Sequence, residues 1–186
     1  MEIDFKKVAK AMRPECVNIA IPNAEKVLRD GFSWATNNST IWSDENYLPV
    51  AEWLKNNDGR GLLMMGGCGL GKSLIGMYIL PVIFKALGLY YNVLTAQEMA
   101  DNFTAVSEYK IIYIDDLGLE TIKNNYGEKV DAFVSLVDLA EKKGKLLVIS
   151  TNLGIDQLTE RYGVRTIDRL KALTKCVVMT GASNRK

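Results

Sequence analysis

Five short apolar, β-prone runs punctuate the chain: Gly61 to Met65, Leu89 to Leu94, Ile111 to Ile114, Leu146 to Ile149 and Cys176 to Met179. Between them apolar residues recur at three- and four-residue spacing, which predicts helices over Lys72 to Leu87, Ala96 to Phe103, Tyr126 to Lys143, Ile155 to Tyr162 and Val164 to Leu173. In the longest of these, Val130, Phe133, Leu136, Val137 and Ala140 form the apolar stripe. Strands alternating with helices make βαβ units. Such units close into a parallel sheet with helices on both faces, and ligands then sit beyond the carboxyl ends of the strands.

The first third of the chain reads differently. Phe5, Val8, Ala9 and Met12 fall at helical spacing before Pro14, Asn23 to Asp30 predicts a short helix stopped by Gly31, and Pro49 opens another that carries Val50, Trp53 and Leu54. The stretch from Ser33 to Asp44 is polar and turn-rich. That break divides the chain into a helical, partner-binding extension over residues 1–40 and a core over residues 41–186.

Composition narrows the chemistry. The 186 residues are 48% hydrophobic and 24% charged, and 23 Lys+Arg against 22 Asp+Glu leave a net charge of +1, so any contact with nucleic acid needs a local basic patch. The absence of histidine removes Ser-His and Cys-His nucleophilic pairs and the usual zinc sets. Cys16, Cys68 and Cys176 are widely spaced, as expected of reduced thiols in a cytoplasmic protein. No apolar run approaches the roughly 20 residues of a membrane span.

One segment carries the strongest signal. Gly66-Gly67-Cys68-Gly69-Leu70-Gly71-Lys72-Ser73 follows a predicted strand and opens a predicted helix, the context and spacing of a phosphate-binding P-loop. Glycines let backbone N–H groups curl into an anion nest, and the helix N-terminus adds partial positive charge. On this reading Gly66 to Ser73, with Leu74, bind ATP. Lys72 bridges the β- and γ-phosphates and Ser73 offers its hydroxyl to Mg²⁺. The plainer alternative is a chance glycine turn. Cys68 occupies a variable position of the loop, with redox sensing as its alternative role.

A second strand, Lys110 to Ile114, runs into Asp115-Asp116. This is the Walker B form, with Asp115 placed for the Mg²⁺ shell and Asp116 for the attacking water. Many ATPases have Glu at the latter position, so the shorter Asp116 either approaches the water closely or works through Glu120. As an isolated pair, the two carboxylates are equally readable as solvated turn residues. A third strand ends in Ser150-Thr151-Asn152. Asn152 there either positions the water beside the γ-phosphate or caps the helix beginning near Gly154. Arg165 and Arg169 lie four apart, on one helix face. They serve either a neighbouring subunit's phosphates or surface bridges to Asp168 or Glu160.

The segments GGCGLGKS, IIYIDDLGLE, VISTNL, RYGVRTIDRL and GASNR, in that order over roughly Gly59 to Arg185, resemble the AAA+ helicase loaders of DnaC/DnaI type and their IstB-type transposition relatives. The resemblance implies a P-loop NTPase three-layer αβα sandwich with a five-stranded parallel sheet, lacking the C-terminal helical lid of most AAA+ proteins. It implies ATP hydrolysis with Mg²⁺, and a homo-oligomer joined through ATP-bridged interfaces in which Arg169 acts on the neighbour's nucleotide and Arg185 is a second sensor. It also implies a replicative helicase as partner and single-stranded DNA as a further ligand, although the segment from Phe103 to Ile111 is shorter than the element that the family uses for such contacts. Tyr90, Tyr91, Tyr109 and Tyr113 read as strand or core aromatics rather than a base-stacking platform. A transposition helper, a small P-loop kinase and a nucleotide-gated adaptor are the rival readings.

Overall fold

The computed structural model describes residues 14–39, 42–121, 123–125 and 128–183. In chain order its elements are α1 (Ala24–Thr36), α2 (Asp44–Lys55), β1 (Gly61–Gly66), α3 (Lys72–Leu74) continued through a π-helical stretch (Ile75–Ile79) into α4 (Leu80–Ala86), β2 (Asn92–Thr95), α5 (Ala96–Asp101), α6 (Phe103–Val106), β3 (Ile111–Asp115), β4 (Lys123–Asn125), β5 (Glu128–Val130), α7 (Ala132–Lys143), β6 (Leu146–Thr151), α8 (Ile155–Tyr162), α9 (Val164–Leu173) and β7 (Thr174–Met179). β4 and β5 pair antiparallel in a small ribbon of their own.

The other five strands form one parallel sheet in the order β2-β3-β6-β1-β7. All five predicted strands are present in it. Because both faces are covered, the central strands are continuous apolar runs, and alternate residues feed two different cores. Leu62, Met64, Ile111, Tyr113, Leu146 and Val148 pack into one core, whereas Leu63, Met65, Ile112, Ile114, Leu147 and Ile149 pack into the other. α1, α2 and the helix after β1 cover the first face; α5 and α7 to α9 cover the second. The result is the expected three-layer α/β arrangement. β6 stands between β1 and β3, so the ends of these three strands meet at one edge.

Four helices differ from their sequence expectations. α1 does not stop at Gly31: a Cβ there would lie 2.6 Å from Ile79 Cγ2, so the glycine serves close helix packing. The helix ends at Asn37, in the left-handed region at φ 48°, whose N–H bonds Ser33 O. α2 begins five residues before Pro49, capped by Ser43, whose hydroxyl accepts from Asn46 N–H. Pro49 and Glu45 are both exposed, so solvent can satisfy the carbonyl that the proline leaves unbonded. α7 begins at Ala132 rather than Tyr126, because Asp131 caps it by accepting from the Phe133 and Val134 N–H groups. The expected helix from Ala96 splits at Asn102 into α5 and α6. The helix expected around Phe5 to Met12 lies outside the described residues.

Ile19, Ile21, Ala24, Leu28 and Phe32 belong to the same buried core as β1 and the helix following it. Described residues N-terminal to the polar break therefore pack directly against the elements that carry the glycine loop.

Candidate functional site

The glycine loop leaves β1 at its carboxyl end and enters α3. Gly69 and Gly71 have φ of 79° and 89°, conformations that side chains with a Cβ resist. A Cβ on Gly71 would also approach the Tyr47 hydroxyl to 3.1 Å. The first N–H groups of the helix have no carbonyl behind them in the helix itself, so the loop presents donors at its mouth. Here the chain walls a cavity of about 250 Å³, lined by Tyr47, Cys68, Gly69, Leu70 and Gly71 on one side and by Lys72, Ser73, Leu74, Asp116 and Asn152 on the other.

Lys72 is buried at 5% exposure. Its Nζ donates to Gly66 O and Gly67 O, both at 2.7 Å, and to Asn152 Oδ1 at 2.9 Å. Asn152 in turn donates through Nδ2 to Asp116 Oδ1 at 3.4 Å. Residues from the ends of β1, β3 and β6 thus meet around one ammonium group. The local backbone explains why: the Asp116 N–H donates to Ser150 Oγ at 3.0 Å, the Leu117 N–H to Ser150 O at 2.9 Å, and the Thr151 hydroxyl to Leu117 O at 2.7 Å. These bonds lock the exit of β3 to the exit of β6. Asp116 itself turns the chain at φ 54°.

Asp115, the residue before Asp116, is buried and does not itself line the cavity. Its Oδ1 accepts from the Tyr113 hydroxyl and, at 2.6 Å, from the Ser150 hydroxyl. Burial, with the Asp115 carboxylate next in effect, pushes the Tyr113 phenol far above its ordinary range, so it remains a donor at physiological pH.

The structure separates Glu120 from this cluster. Glu120 is buried and does not line the cavity. Its Oε2 accepts from the Gly118 N–H at 2.9 Å, and its Oε1 accepts from the Tyr162 hydroxyl and from Arg161. Oε2 thus closes the turn after β3 on itself, and Oε1 holds that turn against α8. Arg169 is likewise absent from the cavity lining; it pairs with Asp138 and with Glu141 at 3.2 Å, on α7. Those partners of Arg169 differ from Asp168 and Glu160, the residues named in the surface-bridge alternative. Arg165 is exposed, and so is Cys68, at the cavity wall. Arg185 lies outside the described residues.

Three residues of the site escaped the sequence reading: Tyr47, Tyr113 and Ser150. Tyr47 reaches the loop from α2, where its hydroxyl donates to Leu70 O at 3.3 Å. Nothing in its sequence context signals this. Ser150 sits two residues before Asn152, and the alternation along a strand would have pointed both to one side of the sheet.

The cradle fits a phosphate group: left-handed glycines, a helix N-terminus and a buried lysine converge on one cavity. Among the described residues no group of three or more His, Cys, Asp or Glu side chains forms a metal cage. A hard cation held by one carboxylate, one hydroxyl, phosphate oxygens and water is compatible with that donor set. Among the described residues, no helix is long and apolar enough to cross a membrane.

No protein-family model matches this sequence, and none of the curated proteins does. Solved structures do match. The crystal structure of the DnaC helicase loader superposes over 87% of this chain and 93% of that one, at 16% identity and a TM-score of 0.53. Domain III of the Thermotoga maritima replication initiation protein DnaA matches over 87% of this chain and 64% of that one, with 15% identity and a TM-score of 0.51. The replication initiator DnaA bound to AMPPCP and single-stranded DNA matches over 80% of this chain and 50% of that one, with 12% identity and a TM-score of 0.55. The chain has the α/β P-loop fold of AAA+ proteins, shared with DnaC and DnaA.

Proposed function

We propose that this chain binds and hydrolyses ATP with Mg²⁺ and works as a DnaC-like helicase loader through nucleotide-dependent self-assembly. The observation that carries the reading is the contact chain from Lys72 through Asn152 to Asp116, which gathers a cation, an amide and a carboxylate from three strand ends at the mouth of the glycine loop.

Each residue has a role in this reading. Lys72 exchanges its loop carbonyls for phosphate oxygens. Backbone N–H groups from Gly67 to Ser73 and the helix N-terminus hold the phosphate charge, and Leu74 and Tyr47 close the side of the cavity. Asp116 orients the attacking water and accepts its proton, while Asn152 fixes that water and the carboxylate relative to each other. Ser73 and Asp115 would hold Mg²⁺, which would supply positive charge against the phosphates. Arg169 reaches a neighbouring subunit's nucleotide, having first left Asp138 and Glu141. Arg185 is assigned the second-sensor role.

Residues 1–40 are assigned to partner binding and residues 41–186 to the ATPase core. The packing of α1 on the loop helix gives a partner held by the first segment a direct mechanical route to the nucleotide. A replicative helicase is the proposed partner and single-stranded DNA a further ligand. A transposition helper of IstB type would use the same site with a different partner. Fluorescent-nucleotide titration, ATP turnover, and co-purification with the source organism's replicative helicase with and without ATP test the reading. Nucleotide affinity unaffected by Lys72→Ala would remove the site; ATP binding and turnover without helicase capture would redirect the partner assignment.

A further inference from the structure

Beyond the loop and the strand-end carboxylates, one aromatic side chain links the two. The helix after β1 is widened to π geometry over Ile75–Ile79, where the Leu80 N–H bonds Ile75 O. The next residue, Pro81, has no N–H with which to resume four-residue spacing. Such widened turns are frequent at functional sites. Inside this one lies Gly76. A Cβ built there would stand 2.1 Å from Tyr113 Cζ and 2.6 Å from its hydroxyl oxygen. The Tyr113 ring therefore occupies the space that any side chain at position 76 would need. It is fully buried and stacked on Tyr91, at 6.2 Å between centroids and 15° between planes, and Tyr91 is stacked in turn on Phe84.

The end of this fixed ring is the hydroxyl that donates to Asp115 Oδ1. The Ser150 hydroxyl donates to the same oxygen, and no hydrogen bond among the described residues engages Asp115 Oδ2. A carboxylate with two donors on one oxygen has one rotational setting and leaves its other oxygen for a ligand.

We propose that Tyr113 is a positioning residue for the metal shell: with Ser150 it clamps Asp115 Oδ1 and reserves Oδ2 for Mg²⁺, and its seat against Gly76 ties that carboxylate to the helix bearing Lys72 and Ser73. The proposal rests on the reading of Asp115 as the metal carboxylate. Partners of metal-binding carboxylates typically matter about 10- to 100-fold in metal affinity. A phenylalanine keeps the stack and the fit against Gly76 while deleting the donor.

The experiment is a fluorescent-ATP titration across Mg²⁺ concentrations, with an EDTA arm, on the full chain and on the Tyr113→Phe, Ser150→Ala and Asp115→Asn variants. Thermal unfolding is measured alongside. The expected result is that Asp115→Asn removes the Mg²⁺-dependent gain in affinity. Tyr113→Phe and Ser150→Ala should each raise the half-saturating Mg²⁺ concentration about 10-fold, with affinity in EDTA unchanged. If Asp115→Asn retains the full Mg²⁺ response, the underlying metal reading fails. If Asp115→Asn loses it while Tyr113→Phe follows the wild-type curve, the metal reading stands and the positioning role of Tyr113 is overturned. Should Tyr113→Phe fail to fold, a wild-type Mg²⁺ curve for folded Ser150→Ala overturns the clamp equally.

Discussion

Lys72 Nζ and Asn152 Oδ1 are in hydrogen-bond contact at 2.9 Å across 80 residues of sequence, so the loop cation and the amide at the end of β6 hold each other. In the proposed site the lysine binds phosphate, whereas the amide serves the hydrolytic step. Lys72→Ala should therefore weaken ATP binding about 10-fold or more, the loss of one charge-assisted contact. Asn152→Ala should bind ATP within a few-fold of wild type and turn it over on the order of 10²-fold more slowly. Equilibrium titration and steady-state hydrolysis, run side by side, check both.

Asp116 and Glu120 separate by position. Asp116 lines the cavity, whereas Glu120 is consumed by Gly118, Tyr162 and Arg161. Asp116→Asn should keep ATP bound, keep the fold, and lose turnover on the order of 10²-fold. Glu120→Gln should lose stability by about 1–3 kcal/mol, as expected when a buried hydrogen-bonded acceptor is impaired, and retain hydrolysis at a temperature where it remains folded. Urea unfolding with turnover measurements distinguishes the two residues; a larger turnover loss in folded Glu120→Gln would reverse their roles.

Arg169→Ala should bind ATP normally and hydrolyse it poorly, since a finger supplied in trans is worth roughly 10³-fold or more. Its pairing with Asp138 and Glu141 adds a second expectation. Asp138→Asn combined with Glu141→Gln frees the guanidinium and should raise turnover at low protein concentration. Mixing Arg169→Ala with Lys72→Ala should restore activity above the sum of the two, because some interfaces then join an intact loop to an intact arginine. Subunit exchange without recovered hydrolysis would place Arg169 in a purely structural role.

Asp131 provides a test of the fold by pH. Its carboxyl is raised above the ordinary value of 3.8, chiefly by burial, against the lowering effect of the Val134 and Phe133 N–H groups. A carboxyl raised on folding holds its proton in the native chain after the unfolded chain has lost it. The contribution of Asp131 to stability therefore falls as pH rises from about 3.8 through the native value, then levels. Asp131→Asn retains a capping oxygen and should abolish that slope. Asp131→Ala should cost about 1 kcal/mol through loss of the cap. Urea denaturation at several pH values measures both.

The sheet was legible because a strand covered on both faces must be apolar throughout, as Leu62 to Met65 and Leu146 to Ile149 are. Lys72, Asp116 and Asn152 were legible because fixed spacing places them at strand exits, and those exits prove to be adjacent. Contacts across the chain were not. Nothing near Tyr113 in sequence reveals that Gly76 yields space to its ring, and nothing near Arg169 names Asp138 and Glu141. Gly31 and Pro49 misled for a related reason: one is a strong local stop signal and the other a strong local start signal, overridden here by close packing on Ile79 and by an exposed turn of helix.

The left-handed backbone at Asp116 bears on which acid can occupy this place in the proposed site. Asp and Asn tolerate that conformation better than most residues with a Cβ, because their short polar side chains bond locally. The turn thus selects the acid before reach is considered. Asp116→Glu, nominally the conservative exchange, adds a methylene to a strained position, whereas Asp116→Asn leaves the turn content and removes only the proposed base. A replacement other than Asn or Gly at this position therefore brings the cost of the turn along with its own chemistry.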